Sequence, residues 1–373
     1  MKIREVTRVT DLEAARPAWD ALYESASSGE LFQSYEWLHP WLQSYQADRR
    51  IAFLLGYEGA GLAGVLPLLR DAGGPGWCPG RLATPVNAHV RRQGLLCAGD
   101  PVAMLDATFS WAARQKKPSC VAFRQLPADG TLARELPTAA RRAGMSVAVR
   151  EETSSSSADL SGGWDAYVAG RSRHVVREMR RKTRKLERTG EWSFRVFTEP
   201  EAWQDAFEAV LEVEARSWKQ GTGTSIANEP GARRFYGEVT RLNAELGRLC
   251  VHVLEHRGRP AAHVLGLLDG RTLLALKTAY DEDERAWAPG AVLMWRALKD
   301  AADRGLEMFD FLGDTASWKQ SLATHECPYV SMVAFPPRGV QCHMCRTLHV
   351  RVRPAARRMG MTRIVKRMRG RAG

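Results

Sequence analysis

From Tyr280 to Lys319 the chain reads YDEDERAWAPGAVLMWRALKDAADRGLEMFDFLGDTASWK. Just before it, Thr272–Tyr280 (TLLALKTAY) is an apolar, partly alternating run, the pattern of a strand. Four acids follow, then Arg285-Ala286-Trp287-Ala288-Pro289-Gly290-Ala291. From Ala291 the apolar residues Val292, Leu293, Trp295, Leu298 and Ala302 recur at helical spacing, and Gly305 stands where a helix C-terminus favours positive φ. Met308 to Leu312 reads as a short strand, and Gly313-Asp314 opens the next turn. A strand that hands a Gly-containing turn to a helix N-terminus makes an anion site, because the first backbone N–H groups are unpaired and the helix dipole favours negative charge. A phosphorylated donor is therefore expected here.

The chain has 373 residues, long for a single core, so two domains plus appendages are expected. Its composition, 45% apolar and 26% charged, is that of a globular protein. No run of about 18 apolar residues occurs, and the N-terminus lacks a signal-peptide apolar region, which makes the cytoplasm the expected location. Seven cysteines at irregular spacing do not suggest a disulfide framework. Cys342-His343-Met344-Cys345 is one C-x-x-C without a second pair, too few ligands for a structural zinc site, and no metal is expected.

The net charge of +12 is unevenly placed. Residues 346–373 hold ten Lys or Arg and no acid, and Arg171–Arg188 holds nine against two acids. Segments 171–188 and 346–371 are thus candidate contacts for tRNA or for an anionic membrane surface. Ile364, Val365 and Met368 among the tail cations allow an amphipathic helix, which would add a peripheral membrane contact to the cytoplasmic expectation.

Ile3–Val9 reads as an edge strand, Asp11 as the N-cap of a helix to about Ser25, and Leu31–Tyr45 as two helical turns around Pro40. The run from Ile51 to Leu69, IAFLLGYEGAGLAGVLPLL, predicts a hairpin. It aligns without gaps to CVHVLEHRGRPAAHVLGLL from Cys250, with seven of nineteen positions identical, Gly59/Gly258 among them. Helix-then-strand patterns follow both, which points to an internal duplication. Between the copies, Ser154–Ser157 reads as a polar seam and about Trp164–Thr189 as one long basic helix stopped by Gly190. Helices are expected over Pro200–Trp218 and Phe235–Leu246, a polar loop over Gly221–Pro230, and a closing strand over Val330–Phe335.

This order resembles the GNAT acyltransferase fold, and more narrowly the CelD/BcsL-type (BioF2-like) acetyltransferases, whose tandem halves are shared by FemABX-type aminoacyl transferases. The carrying residues are Phe32 with Trp37 and Trp41, Arg180–Leu186, the run Glu214-Ala215-Arg216-Ser217-Trp218-Lys219, Tyr280-Asp281, Pro289-Gly290, Asp310-Phe311-Leu312-Gly313, and Trp318-Lys319. The resemblance implies an α/β protein of tandem GNAT-like domains with mixed sheets flanked by helices. Its parts would be a degenerate N-terminal copy (1–160), a basic linker helix (161–190), a C-terminal acyltransferase domain (191–338) and a basic tail (339–373). The first copy has no comparable Gly turn, and the cleft between halves would take the acceptor.

The GNAT donor signature, R/Q-x-x-G-x-G/A, maps onto Arg285–Gly290, which places donor contacts at Arg285, Ala288, Gly290 and Ala291. Ala288 stands where the signature has its first Gly, and Pro289 removes one amide donor. The acids at 281–284 would repel a pyrophosphate facing the same cleft. The implied donor is acetyl-CoA or another acyl-CoA, the acceptor an amine of a small molecule or sugar. Acyl transfer needs a base, a polarised carbonyl and an acid for the leaving group. The candidate catalytic residues are Glu214, Asp310 and Lys319, and the candidate substrate contacts Trp218, Lys219, His263, Tyr280, Asp314 and Trp318. Asn87, His89 and Arg92 form a polar knot suited to an anionic acceptor. The alternatives are an aminoacyl-tRNA-dependent transferase and a non-catalytic nucleic-acid or membrane-surface protein.

Overall fold

The computed structural model describes residues 1–26, 30–45, 51–71, 81–87, 89, 92–115, 120–222, 225–314 and 316–337. The Cys342–Cys345 motif and the basic tail lie outside the described residues. In chain order the elements are β1 (Lys2–Val6), α1 (Val9–Ser25), α2 (Tyr35–Tyr45), β2 (Phe53–Glu58), β3 (Gly61–Leu66), β4 (Leu69–Asp71), β5 (Arg81–Ala83), β6 (Leu96–Cys97), α3 (Pro101–Arg114), β7 (Val121–Pro127), α4 (Thr131–Arg142) and β8 (Ser146–Asp159). The second half continues with α5 (Gly163–Ala169), α6 (Arg173–Glu187), β9 (Trp192–Phe197), α7 (Trp203–Ala215), α8 (Lys219–Thr222), α9 (Pro230–Glu245), β10 (Leu249–His256), β11 (Arg259–Asp269), β12 (Thr272–Tyr280), α10 (Pro289–Asp303), β13 (Met308–Asp310), α11 (Ser317–Leu322) and β14 (His325–Phe335).

These elements form mixed sheets flanked by helices, in two compact units that do not follow chain order. One unit comprises Met1–Ser34, Asp48–Glu152 and the chain from Pro328; the other comprises Tyr35–Ala47 and Thr153–Cys327. The first unit holds the sheet β1-β2-β3-β6 and the run β4-β5-β7-β14. Its core gathers Leu54, Leu66, Met104, Phe109, Phe123 and Leu136 from strands and from α3 and α4. The expected closing strand is found, but Tyr329–Ala334 pairs antiparallel with β7, as part of this unit. Arg92 of the expected polar knot donates to the Tyr329 hydroxyl, 2.8 Å, and lies over Phe32.

In the second unit the strands run β8-β13-β12-β11-β10-β9. The two aligned hairpins are both present, β2–β3 and β10–β11, and the aligned Gly59 and Gly258 both have positive φ. Three local expectations change. The serines at 154–157 lie inside β8, where Ser155 and Ser156 are buried and Ser157 pairs with Asp310. The long basic helix is two, because the chain turns at Gly170–Ser172 and the Ser172 hydroxyl caps α6 through the Val175 N–H. Instead of linking domains, α6 sends Met179 and Leu186 into the second unit's core. The third concerns Leu31–Tyr45, which is a short 3₁₀ turn and then one helix, α2, packed on α9: Trp37 meets Phe235 edge-on at 5.2 Å and Tyr45 lies 5.7 Å from the same ring.

Helix α10 forms as its periodicity requires. Val292, Leu293, Trp295 and Leu298 are buried, and Trp164 packs edge-on against Trp295. Gly305 at φ +73° closes it, with Gly305 N–H bonding Ala302 O and Leu306 N–H bonding Ala301 O. β12 matches β13 in parallel over three residues only, Thr272–Leu274 against Met308–Asp310, and runs on to Tyr280 without it. On its other edge β12 bulges: Leu265 faces Lys277 and Gly266 faces Ala275, leaving Leu276 extra. The bulge needs Gly266, since a Cβ there would fall 2.6 Å from Cys250 O and 2.8 Å from Leu273 Cδ1.

Candidate active site

At the end of β12 the acids that follow Tyr280 are largely tied down. The buried Asp281 accepts from Arg216 Nε and, through its other oxygen, from Asp283 N–H at 3.1 Å. Arg216 also bonds Glu212 and Pro260 O, so it clamps α7 to this turn. Glu284 is 2.7 Å from His256 Nδ1, with Trp192 stacked on that imidazole. Two of the four carboxylates are thus engaged away from the helix start. Ala288 caps α10 from the left-handed region, φ 53° and ψ 47°, without a side-chain cap, and Pro289 is the first helical residue. Gly290 lies against Tyr280: a Cβ would sit 3.0 Å from Tyr280 Cδ1. Burial first, then Glu282, raises the Tyr280 phenol, so it stays protonated at neutral pH. Arg285 is at the surface, 4.0 Å from Glu282. From the other side Lys185 of α6 donates to Ala286 O at 3.0 Å and lies over the Trp287 ring.

Where β13 ends, Asp310 Oδ1 accepts the Leu312 N–H at 2.8 Å, and Leu312 and Gly313 both take positive φ, which bends the chain sharply. Lys319 Nζ reaches back from α11 to Leu312 O and Asp314 O, with the latter at 3.1 Å. Asp314 accepts from the Thr153 hydroxyl, 2.7 Å. Trp318 is exposed and meets Phe311 edge-on at 6.0 Å. Asp310, Asp314, Trp318 and Lys319 therefore form one constellation beside the opening between β12 and β13.

Glu214, Lys219 and His263 form another. Glu214 is fully buried, accepting from Lys219 Nζ at 2.5 Å and Ile226 N–H at 3.1 Å. His263 Nε2 lies 3.5 Å from Glu214 Oε1, near it but outside hydrogen-bond geometry. Burial alone would raise the Glu214 carboxyl, yet the adjoining His263 and Lys219 bring it down to about 2. Burial pushes the His263 imidazolium down in spite of Glu214. A carboxylate so strongly held ionised is a poor proton acceptor, and Glu214 acts as an anchor for α8 and the turn at 225–226. Trp218, between Glu214 and Lys219, is half-exposed.

A third polar cluster joins Cys250, His252 and Asp300, with His252 Nε2 2.9 Å from Asp300 Oδ2. Its ligand types suit a metal, but Arg304 Nη1 stands 3.4 Å from Cys250 Sγ, so a fixed cation already faces the sulfur. Burial pushes the Cys250 thiol up to about 12.

Residues 173–320 match the family model described as an acetyltransferase (GNAT) domain. This segment is similar to that domain. Solved structures share the fold at low identity. FemX is 12% identical over 90% of this chain and 97% of its own, with a TM-score of 0.57. The C-terminal domain of a putative lysylphosphatidylglycerol synthetase from Agrobacterium fabrum is 12% identical over 91% and 97%, with a TM-score of 0.55. A conserved protein of unknown function from Bacteroides thetaiotaomicron is 13% identical over 89% and 99%, with a TM-score of 0.56. A search among curated proteins finds no match.

Sequence reasoning gave Arg216 no role within its motif, although a cation there and an acidic run 65 residues on are what the clamp uses. It also left the left-handed backbone at Ala288 unread. Two outcomes follow for this segment. Ala288→Gly relieves a conformation that costs an alanine about 1 kcal/mol, so urea unfolding shifts to a higher midpoint. Glu214 has its folded pKa depressed from 4.5 to about 2. Its contribution is complete above about pH 5 and is lost as pH falls through about 2. Glu214→Gln, which strands Lys219, destabilises by about 3 kcal/mol or more at pH 7, and the gap from the parent narrows below about pH 4.

Proposed function

We propose that the protein transfers an acyl group, most simply acetyl, from acyl-CoA to an amine of a small molecule or sugar, in the manner of the CelD/BcsL-type enzymes, and works in the cytoplasm. Among the described residues no helix is long and apolar enough to cross a membrane. The observation that carries the reading is the parting of β12 from β13 after Leu274 and Asp310, with a helix N-terminus at the far end of β12.

In this reading the donor's phosphates meet the first amide groups of α10 at Gly290 and Ala291, where the helix dipole favours them. The pantetheine arm lies along β12 beyond Leu274, whose edge β13 has left, and backbone N–H groups there orient the thioester carbonyl. The Lys319 ammonium, fixed on the Leu312–Asp314 turn, stabilises the oxygen as it becomes negative. The amine attacks the carbonyl carbon, the C–N bond forms and the C–S bond breaks, and the proton shed by the amine reaches the thiolate through water. Asp310 acts by shaping the turn that carries Lys319. Trp318 and Trp218 offer exposed aromatic surface to the acceptor.

A second reading, with aminoacyl-tRNA as donor, is favoured by one feature: Ala288 and Pro289 leave a pyrophosphate few amides, whereas the Arg-rich α6 touches the same turn through Lys185.

Calorimetric titration with acetyl-CoA decides between them. Saturable binding that is lost in Gly290→Glu, with the fold of the variant checked by circular dichroism, supports the CoA donor. No binding at millimolar acetyl-CoA rejects it. With an acceptor in hand, Lys319→Ala lowers kcat by about a hundredfold or more and leaves KM nearly unchanged. An equal loss of binding and turnover would move Lys319 to a binding role.

A further inference from the structure

We propose that Cys250, His252 and Asp300 form a Zn²⁺ site whose place the Arg304 guanidinium holds in the metal-free chain. Cys250 and His252 stand two residues apart on β10, so both side chains leave the same face of the strand, toward α10, which supplies Asp300. Cys250 Sγ and His252 Nε2 are 3.9 Å apart, Nε2 and Asp300 Oδ2 are 2.9 Å apart, and all three ligand atoms lie within 4.8 Å of one another. Tetrahedral bonds of about 2.3 Å to sulfur and about 2.0 Å to nitrogen and oxygen put S and N about 3.5 Å apart and N and O about 3.3 Å apart. Shifts of about 0.4 Å bring both measured separations to those values. Among the described residues no other three His, Cys, Asp or Glu side chains converge in this way. A thiolate, an imidazole and one carboxylate suit Zn²⁺, with water as the fourth ligand, and serve the oxygen-seeking Mg²⁺ and Ca²⁺ poorly.

The frame around the ligands is already built. β10 is paired on both sides, with His252 opposite Val264 of β11 and Val196 of β9, and Phe194 stacks on the imidazole at 5.8 Å. His252 Nδ1 has no hydrogen-bond partner among the described residues, so a proton moved there from Nε2 breaks no other bond. The thiol proton passes to solvent as the metal binds. Arg304 is the competitor: its Nη1 lies 3.4 Å from Cys250 Sγ and 3.7 Å from Asp300 Oδ2. Its charge is permanent but its position is not. Arg304 follows the last residue of α10 and a third of its side chain is exposed, so the guanidinium can turn outward and admit an ion past the part-exposed Asp300. Along α10, Asp300 lies about 16 Å from Pro289, so the ion ties the helix to β10 well away from the turn at Gly290. The inference does not rest on the acyl-transfer reading.

The test uses the untagged full chain with Cys342→Ser/Cys345→Ser, because that C-x-x-C pair offers Co²⁺ competing thiols. We expect it to take up a single equivalent of Co²⁺, with the visible bands of a tetrahedral ion and thiolate-to-metal charge transfer in the near ultraviolet, both erased by Zn²⁺. Asp300→Asn weakens Co²⁺ binding about tenfold or more, and Arg304→Ala, which removes the competing cation, tightens it by about as much. Cys250→Ser loses the charge-transfer band; circular dichroism checks its fold, and if it does not fold, the Asp300 and Arg304 variants decide. Zn²⁺ at about a hundredfold excess over Kd raises the parent Tm by about 3 °C. No charge-transfer band in the parent, its survival in folded Cys250→Ser, equal affinity in Asp300→Asn and Arg304→Ala, or an unchanged Tm overturns the proposal and leaves a hydrogen-bonded cluster only. Neither acyl-CoA nor an amine enters this assay, so its failure is separable from failure of the acetyl-CoA titration.

Discussion

β12 and β13 are hydrogen-bonded over three residue pairs and then separate, although β12 continues for six residues more. Backbone N–H and C=O groups inside a sheet demand partners, so a parallel pair that stops early leaves groups on β12 that β13 does not satisfy. The divergence is enforced from both sides. The Leu276 bulge, made possible by Gly266, rotates β12, while Asp310 and the left-handed Leu312 and Gly313 turn the other chain away at once. Helix α10 then delivers its N-terminus to the open end, held by Tyr280 against Gly290.

Buried charge keeps these parts in register. Arg216 ties Asp281 to α7, and Lys219 with Glu214 ties α7 to the chain that follows it. Removing one partner of such a pair is far more damaging than exchanging both for apolar residues, so their service is positional. The acids before α10 illustrate this: in sequence they look like a barrier to phosphate, and folded, two of them are braces.

Much of the second unit was legible because its signals are local. The alternation of Thr272–Tyr280, the helical period from Ala291 and the stop at Gly305 each depend on neighbours within a few residues, and the structure reproduces them. Non-local features stayed hidden. Ser154–Ser157 looks like a polar seam, and only pairing with strands far along the chain makes it part of β8. The partner of Tyr329–Ala334 lies some two hundred residues away in β7. The site divided in the same way. The grouping of Asp310, Asp314, Trp318 and Lys319 follows from closeness in sequence, whereas the burial of Glu214 and its nearness to His263 depend on how α7 seats on β11. An alanine in a left-handed conformation carries no compositional mark at all.

Helix α2 belongs to the second unit, and its Trp37 and Tyr45 close on Phe235 of α9. During synthesis α2 leaves the ribosome long before α9 exists, so this aromatic surface must wait, covered by other means, while almost two hundred residues are made. A gene fragment beginning at residue 173 would encode the strands of the second unit from β9 to β13 yet lack the helix that packs on α9. The two units are therefore inseparable at the level of the gene, and a fusion of two once-independent domains would have needed an exchange of segments to arrive at this chain.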